Sequence, residues 1–165
     1  MLLRPLEARD WDALYAVASD PQIWAAHPSH DRWREPVFRT FFDDALAQGG
    51  ALAVIERASG AIIGSSRFQG HDPRDGGVVE IGWTFLARKH WGTGANAEMK
   101  RLMLAHAFHF VSQVRFLVGE DNAISRRALA NIGADPTGEV ETRQMASGPS
   151  RHLIYAIRRN EWRAD

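Results

Sequence analysis

Two glycines one residue apart, Gly92 and Gly94, stand between an apolar run, "VVEIGWTFL", and the start of a helical pattern near Ala95. Glycine adopts left-handed backbone conformations without steric cost, so the chain can turn sharply here. The amides of such a turn, and of the first helical turn after it, point one way. With the positive end of the helix dipole they form a pocket for an anion. Arg88, Lys89 and His90 just before the turn add basic charge. The plainer reading is a helix cap, where the glycines only permit the bend.

Residues 92–97, "GTGANA", also spell the dinucleotide fingerprint G-x-G-x-x-A, and Glu120 lies about where a ribose contact would. The context argues against it. In a dinucleotide fold the glycines follow directly on a buried strand that opens the domain. Here the polar, bulky "ARKHW" intervenes, and more than half the chain comes first.

The rest of the chain reads as one mixed α/β domain over residues 1–165, with no repeat or linker. Leu2 and Leu3 open a short strand. Trp11, Leu14 and Val17 recur at helical spacing behind Asp10, a candidate N-cap. "QIWAAH" reads as a linker between Pro21 and Pro28, and "EPVFRTFFDDALAQGG" as a second helix. Ala51 to Phe68 reads as a hairpin, followed by the strand "VVEIGWTFL". A helix is expected from about Ala95 to Val111, with Met99, Leu102, Met103, His106 and Phe110 on one face, and His106 packed in the core. The strand "VRFLV", the helix "ISRRALANIG" and two last strands around a Gly-Pro loop complete the order. The first half of the sheet should be antiparallel, and a crossover helix should then add a parallel strand.

Bulk properties exclude several classes. Basic and acidic residues number 20 each, and the basic ones are scattered, so neither nucleic acid nor a membrane surface is an expected partner. No cysteine is present, which removes disulfides and thiol catalysis. The opening residues turn charged at once, and no apolar run approaches a membrane span, so a cytoplasmic protein is expected. The seven histidines show no H-x-x-x-H pair, and no metal is expected. Neither a G-x-S-x-G elbow nor a P-loop occurs.

At this point the sequence resembles the GNAT acetyltransferase superfamily. "KHWGTG" fits its Q/R-x-x-G-x-G/A signature, with Lys89 in place of the usual Gln or Arg. "EIGWTFLARKHWGTGANAEMKRLMLAHAF" and "VGEDNAISRRALANIGA" look like the branch of ribosomal-protein N-terminal (alanine/serine) acetyltransferases. So do the opening "LRPLEARDWDALYAVASDPQIW" and the closing "IYAIRRNEW". The likeness runs in order over essentially the whole chain.

The resemblance implies a central mixed sheet of about six to seven strands, flanked by about four helices. Its fourth and fifth strands, here Val79–Leu86 and Val114–Val118, would splay apart. Acetyl-coenzyme A would be the cosubstrate. Its pantetheine arm would pair with backbone at Trp83, Thr84 and Phe85. Its pyrophosphate would sit on amides of His90, Trp91, Gly92, Thr93, Gly94, Ala95 and Asn96. The "LARKHW" stretch would then connect a ligand-bonding strand edge to the phosphate loop.

Acyl transfer from a thioester to an amine requires a deprotonated amine, a stabilised oxyanion and a neutralised thiolate. By the resemblance, Asn122 orients the pantetheine arm and Ser125 serves the thiolate; as plain helix chemistry, Asn122 is an N-cap and Ser125 a first-turn residue. Leu129 stands where many members carry a tyrosine acid. Glu80, on the central strand, is the best base; Glu139 and Glu141 are rivals, and a water chain is the alternative. Trp24, His27 and Trp33 lie in the region that walls the acceptor in this family, though both tryptophans also suit a core or its rim. The reaction implied is direct acetyl transfer to a primary amine, either a protein N-terminus or a small amine or amino-acid-like molecule. A homodimer is left open, and the rival reading is a non-catalytic acyl-CoA-binding module of the same fold.

Overall fold

The computed structural model describes residues 1–27, 29–145 and 148–163, and of Met145 the backbone only. Its elements follow the expected order: β1 (Leu2–Pro5), α1 (Trp11–Ala18), α2 (Pro21–Trp24), α3 (Glu35–Gln48), β2 (Ala51–Ile55), β3 (Ile62–Asp72), β4 (Val78–Leu86), α4 (Ala95–Ala107), β5 (Gln113–Gly119), α5 (Ala123–Ala130), β6 (Asp135–Met145) and β7 (Gly148–Arg158). The strands form one seven-stranded sheet in the order β1-β2-β3-β4-β5-β7-β6. All neighbours are antiparallel except β4 and β5, which the crossover through α4 makes parallel.

The sheet has a helix layer on each face, and each layer buries its own apolar cluster. On one face, Met99, Met103 and Leu104 of α4 and Leu129 of α5 pack on Val54, Ile81, Val114, Phe116 and Ile157. On the other, Leu14, Trp24, Phe38 and Phe42 of the N-terminal helices pack on Ala53 and Phe85. The second layer covers the β1–β4 half of the sheet. Beyond β4 the same face is a groove lined by Glu80, Arg115, Glu139 and Glu141.

Four sequence expectations change. The buried face of α4 is Ala95, Met99, Lys100, Met103, Leu104 and Ala107, about one position round from the expected one. Leu102 and Phe110 are exposed, and so is His106, whose ring lies tilted between those of Phe68 and Phe110 instead of packing in the core. Both faces have helical period; a lysine at position 100 hides the real one. The helix also ends earlier, at Ala107. Asp10 stands at the N-cap of α1 but does not cap it. Its carboxylate accepts from the Glu7 amide and pairs with Arg4 at 2.6 Å. Finally, "QIWAAH" opens with one turn of helix, α2, because Asp20 caps it through the Gln22 amide and Pro21 suits its first position. Pro28 lies outside the described residues.

Candidate active site

Strands β4 and β5 part company early. They pair at Val78 with Gln113, Val79 with Val114 and Glu80 with Arg115, and no further. Both strands continue, to Leu86 and Gly119, so a wedge-shaped gap opens between them. A bulge in β4 marks the parting. Ser65 pairs with Phe85 and Arg67 with Gly82, leaving Ser66 opposite both Trp83 and Thr84. Trp83 takes the left-handed conformation, φ 55°, which is uncommon for a bulky residue and recurs at functional sites.

The bulge also sets which backbone groups face the gap. Ala87 N donates to Ile63 O, and Phe85 is two residues back on the same ladder, so those groups face β3. By alternation the backbone of Thr84 and Leu86 faces the gap. Leu86 O already accepts from Trp91 Nε1 at 2.9 Å, and the main chain of Thr84 is the exposed edge.

The glycine loop follows. A single 3-10 turn, Arg88–His90, leads into it. Gly92 and Gly94 take φ of 72° and 86°, and Gly94 is the N-cap of α4. Among the described residues the amides of Gly92, Thr93, Gly94, Asn96 and Ala97 have no hydrogen-bond acceptor, and that of Ala95 has only a 3.4 Å contact with Thr93 Oγ1. A Cβ built on Gly92 or Gly94 would meet no protein atom within 4 Å. Free amides converging on open space at a helix N-terminus fit a pyrophosphate. The cradle is narrower than expected at its start. His90 N and Trp91 N donate to Ala87 O and Arg88 O, so their amides cannot serve an anion. The Nε2 of His90 is buried, 3.8 Å from Glu56, and among the described residues it has no hydrogen-bond partner.

Across the gap, Asn122 is the N-cap of α5, with Oδ1 accepting from Ser125 N at 3.0 Å. Both residues thus stand at the end of β5, facing the end of β4. The base candidates on the open face are all engaged. Glu80 receives Arg143 Nη2 at 2.9 Å, Glu141 receives Arg143 Nε at 2.7 Å, and Glu139 lies 3.7 Å from Arg115.

The acceptor-side aromatics divide. Trp24 is 2% exposed, with Nε1 bonded to Ala18 O at 2.7 Å; it is a core residue that backs the site. Trp33 is half-buried at the rim, beneath the Arg34 guanidinium. His27 lies against the edge of Trp24, and its Nδ1 accepts from Ser29 N, which places the proton of the neutral ring on Nε2. Burial, then the charges of Arg32 and His152, push the His27 imidazole down to about 3, so it is neutral at ordinary pH.

Two residues that sequence reading passed over belong here. Lys100 is buried behind β4, its Nζ bonded to Thr84 Oγ1 at 2.6 Å, and burial pushes its ammonium down to about 7. Arg32 is 7% exposed, among the rings of Trp24, Phe41 and Trp83.

A splayed parallel pair leading into a left-handed glycine turn is the architecture that the sequence resemblance implied. The model of the acetyltransferase (GNAT) domain family matches residues 1–135. The chain belongs to the GNAT acetyltransferase family. Its fold superposes on a GCN5-related N-acetyltransferase from Brucella melitensis with a TM-score of 0.83, at 24% identity, over 97% of this chain and 76% of that one. It is also similar to a spermidine N-acetyltransferase from Vibrio cholerae in complex with CoA and spermine, with a TM-score of 0.73, 14% identity, and 97% and 96% of the two chains covered. RimJ from Mycobacterium smegmatis, in complex with CoA-disulfide, gives 0.71 at 20% identity over 96% and 82%. At these identities the likeness is one of fold. Among the described residues no group of side chains is arranged to hold a metal, and no helix is long and apolar enough to cross a membrane.

Proposed function

We propose that this GNAT domain transfers the acetyl group of acetyl-CoA to a primary amine, by direct attack within a ternary complex. The observation that carries the reading is the set of amides of Gly92, Thr93, Gly94, Asn96 and Ala97, unpartnered among the described residues, directly beyond the stretch of β4 that no longer pairs with β5. The amides would bind the pyrophosphate. The Thr84 backbone would pair with the pantetheine arm and offer its N–H to the developing oxyanion. Asn122 and Ser125, at the far wall, would meet the thioester end, where the Ser125 hydroxyl would donate to the departing thiolate. Glu80 would take the amine proton, directly or through water, with Arg143 holding the carboxylate in place.

The acceptor is read as a protein N-terminus or a small amine, in a cytoplasmic setting. The similarity to RimJ supports the ribosomal-protein branch, and the similarity to a spermidine acetyltransferase supports a small amine. A non-catalytic acyl-CoA-binding module is the second reading, favoured by the arginine pairing of Glu80, Glu139 and Glu141 and by Leu129 at the tyrosine position. Calorimetric titration with CoA, and thiol release from acetyl-CoA over a panel of amines, tests both. Saturable CoA binding with amine-dependent release is expected. Binding without release from any amine overturns transfer in favour of the module; no CoA binding overturns both.

A further inference from the structure

Arg32 stands where a GNAT acceptor would enter, and its surroundings are unusual for an arginine. It lies between α2 and α3, and its guanidinium carbon is 4.7 Å from the ring centroid of Phe41, 5.2 Å from Trp24 and 5.4 Å from Trp83. The residue is 93% buried (7% exposed). Among the described residues it forms no ion pair, and no hydrogen bond to its guanidinium is found; Asp31, its chain neighbour, is the acid whose charge reaches it. Aromatic faces cover the flat sides of a guanidinium, but its N–H donors lie in the plane and point out at the rim. Planar donors of this kind match a carboxylate, two bonds at once.

The location is specific. Trp83 is the bulge residue three positions past Glu80, the last β4 residue paired with β5, so the guanidinium among its rings adjoins the open edge of β4. Apart from Asp31, the ionisable side chains coupled to this cluster carry the same sign or none. His27 is neutral, and it feels the charge of both Arg32 and His152. His152 sits on β7 opposite Gly119, at the end of β5, so the basic groups span both sides of the gap. Arg67, the other buried arginine of this half, is already paired with Asp44 at 2.8 Å.

Building on the acetyl-transfer reading, we propose that Arg32 binds a carboxylate of the acceptor. The substrate class is then an amino-carboxylate, a small molecule bearing a free amine and a free carboxylate, rather than a polyamine or a peptide N-terminus. The carboxylate would be held by the guanidinium edge and the amine would point toward the Thr84 backbone.

Binding, which does not require turnover, decides the matter. The full chain with saturating CoA is titrated with each standard free L-amino acid and with the primary amide of the same amino acid, followed by tryptophan fluorescence. At least one acid should bind roughly 30-fold or more tighter than its amide, the range for a buried charged partner. Arg32→Met should abolish that preference with CoA affinity unchanged, and Arg32→Lys should keep part of it. No preference for acid over amide in any pair overturns the proposal, as does a preference that survives Arg32→Met. Should Arg32→Met not fold, the wild-type pairs and Arg32→Lys decide alone. Acid preference without CoA release from any amine upholds the anion site and overturns the transfer reading alone. Release from amines without acid preference does the reverse.

Discussion

Lys100 Nζ lies 2.6 Å from Thr84 Oγ1, directly behind the residue whose backbone faces the gap between β4 and β5. Ser66, opposite the bulge, completes the cluster: its hydroxyl is 2.8 Å from that of Thr84 and 3.4 Å from the amine. Phe116 of β5 lies beneath, 5.6 Å away. An amine on α4 thus ties both lips of the gap to the helix that begins at the glycine loop. Among the described residues no carboxylate pairs with it, and burial alone accounts for its lowered pKa.

Lys100 should make stability depend on pH in a definite direction. Its folded pKa, about 7, lies below the ordinary 10.5, so between those values the unfolded chain holds the proton and the fold does not. Stability therefore rises with pH across that window and is lowest below it. Lys100→Met removes the penalty, leaving the Ser66 and Thr84 hydroxyls bonded to each other. Melting curves from about pH 6 to about pH 10 should show the variant more stable at the acid end, by up to a few kcal/mol, with the gap closing at the alkaline end. Parallel curves for the two proteins would contradict a neutral buried amine.

The glycines make a separate demand. Both have positive φ, so any side chain is strained there, while neither Cβ would touch the protein. Gly92→Val combines that strain, roughly 1–2 kcal/mol, with a branched group where the pyrophosphate would lie. Gly92→Asn tolerates the left-handed backbone better but still fills the same space. Both variants should lose CoA affinity by tenfold or more, while the asparagine form keeps most of its melting temperature. An asparagine variant with wild-type CoA affinity would reduce the loop to a helix cap.

How far the sequence reveals this site depends on what each residue's signal is. The order of elements along the chain and the glycine turn were legible, because apolar period and glycine placement are local; the gap was legible only through the family resemblance. The shift of the α4 face was not: Lys100 has the spacing of a buried position, in register with Met103, Leu104 and Ala107, but its charge argues for solvent. The period 100, 103, 104, 107 was the available signal. Arg32 had none. "HDRWRE" is a charged loop in which any arginine could face water, and only the tertiary approach of Phe41 and Trp83 buries it. Likewise the pairing of Glu80 with Arg143 joins residues on β4 and β6, which no local pattern connects.

The two roles of Asn122 can be separated by substitution. As an N-cap it satisfies Ser125 N, and Asn122→Ala should cost about 1 kcal/mol of stability. Serine caps nearly as well as asparagine but lacks the amide, so Asn122→Ser should keep the melting temperature. If the side chain also orients the pantetheine arm, Asn122→Ser should raise the KM for acetyl-CoA about tenfold. An unchanged KM with an unchanged melting temperature would leave Asn122 as a cap alone.

Glu80 gives the sharpest separation of a carboxylate base from water as the acceptor of the amine proton. Its carboxylate is largely buried, with 12% of the side chain exposed, and it accepts two bonds from Arg143. Glu80→Gln keeps the shape and leaves Arg143 its second partner, Glu141, so the groove should keep its form. A base lost from proton transfer lowers turnover by about 10²–10⁴-fold. The expected result is therefore a drop in kcat of that order, with CoA affinity within about twofold of wild type. Glu80→Asp should recover part of the rate. A kcat unchanged in Glu80→Gln would move the proton to water, with Arg143 and Glu80 serving to hold β6 against β4.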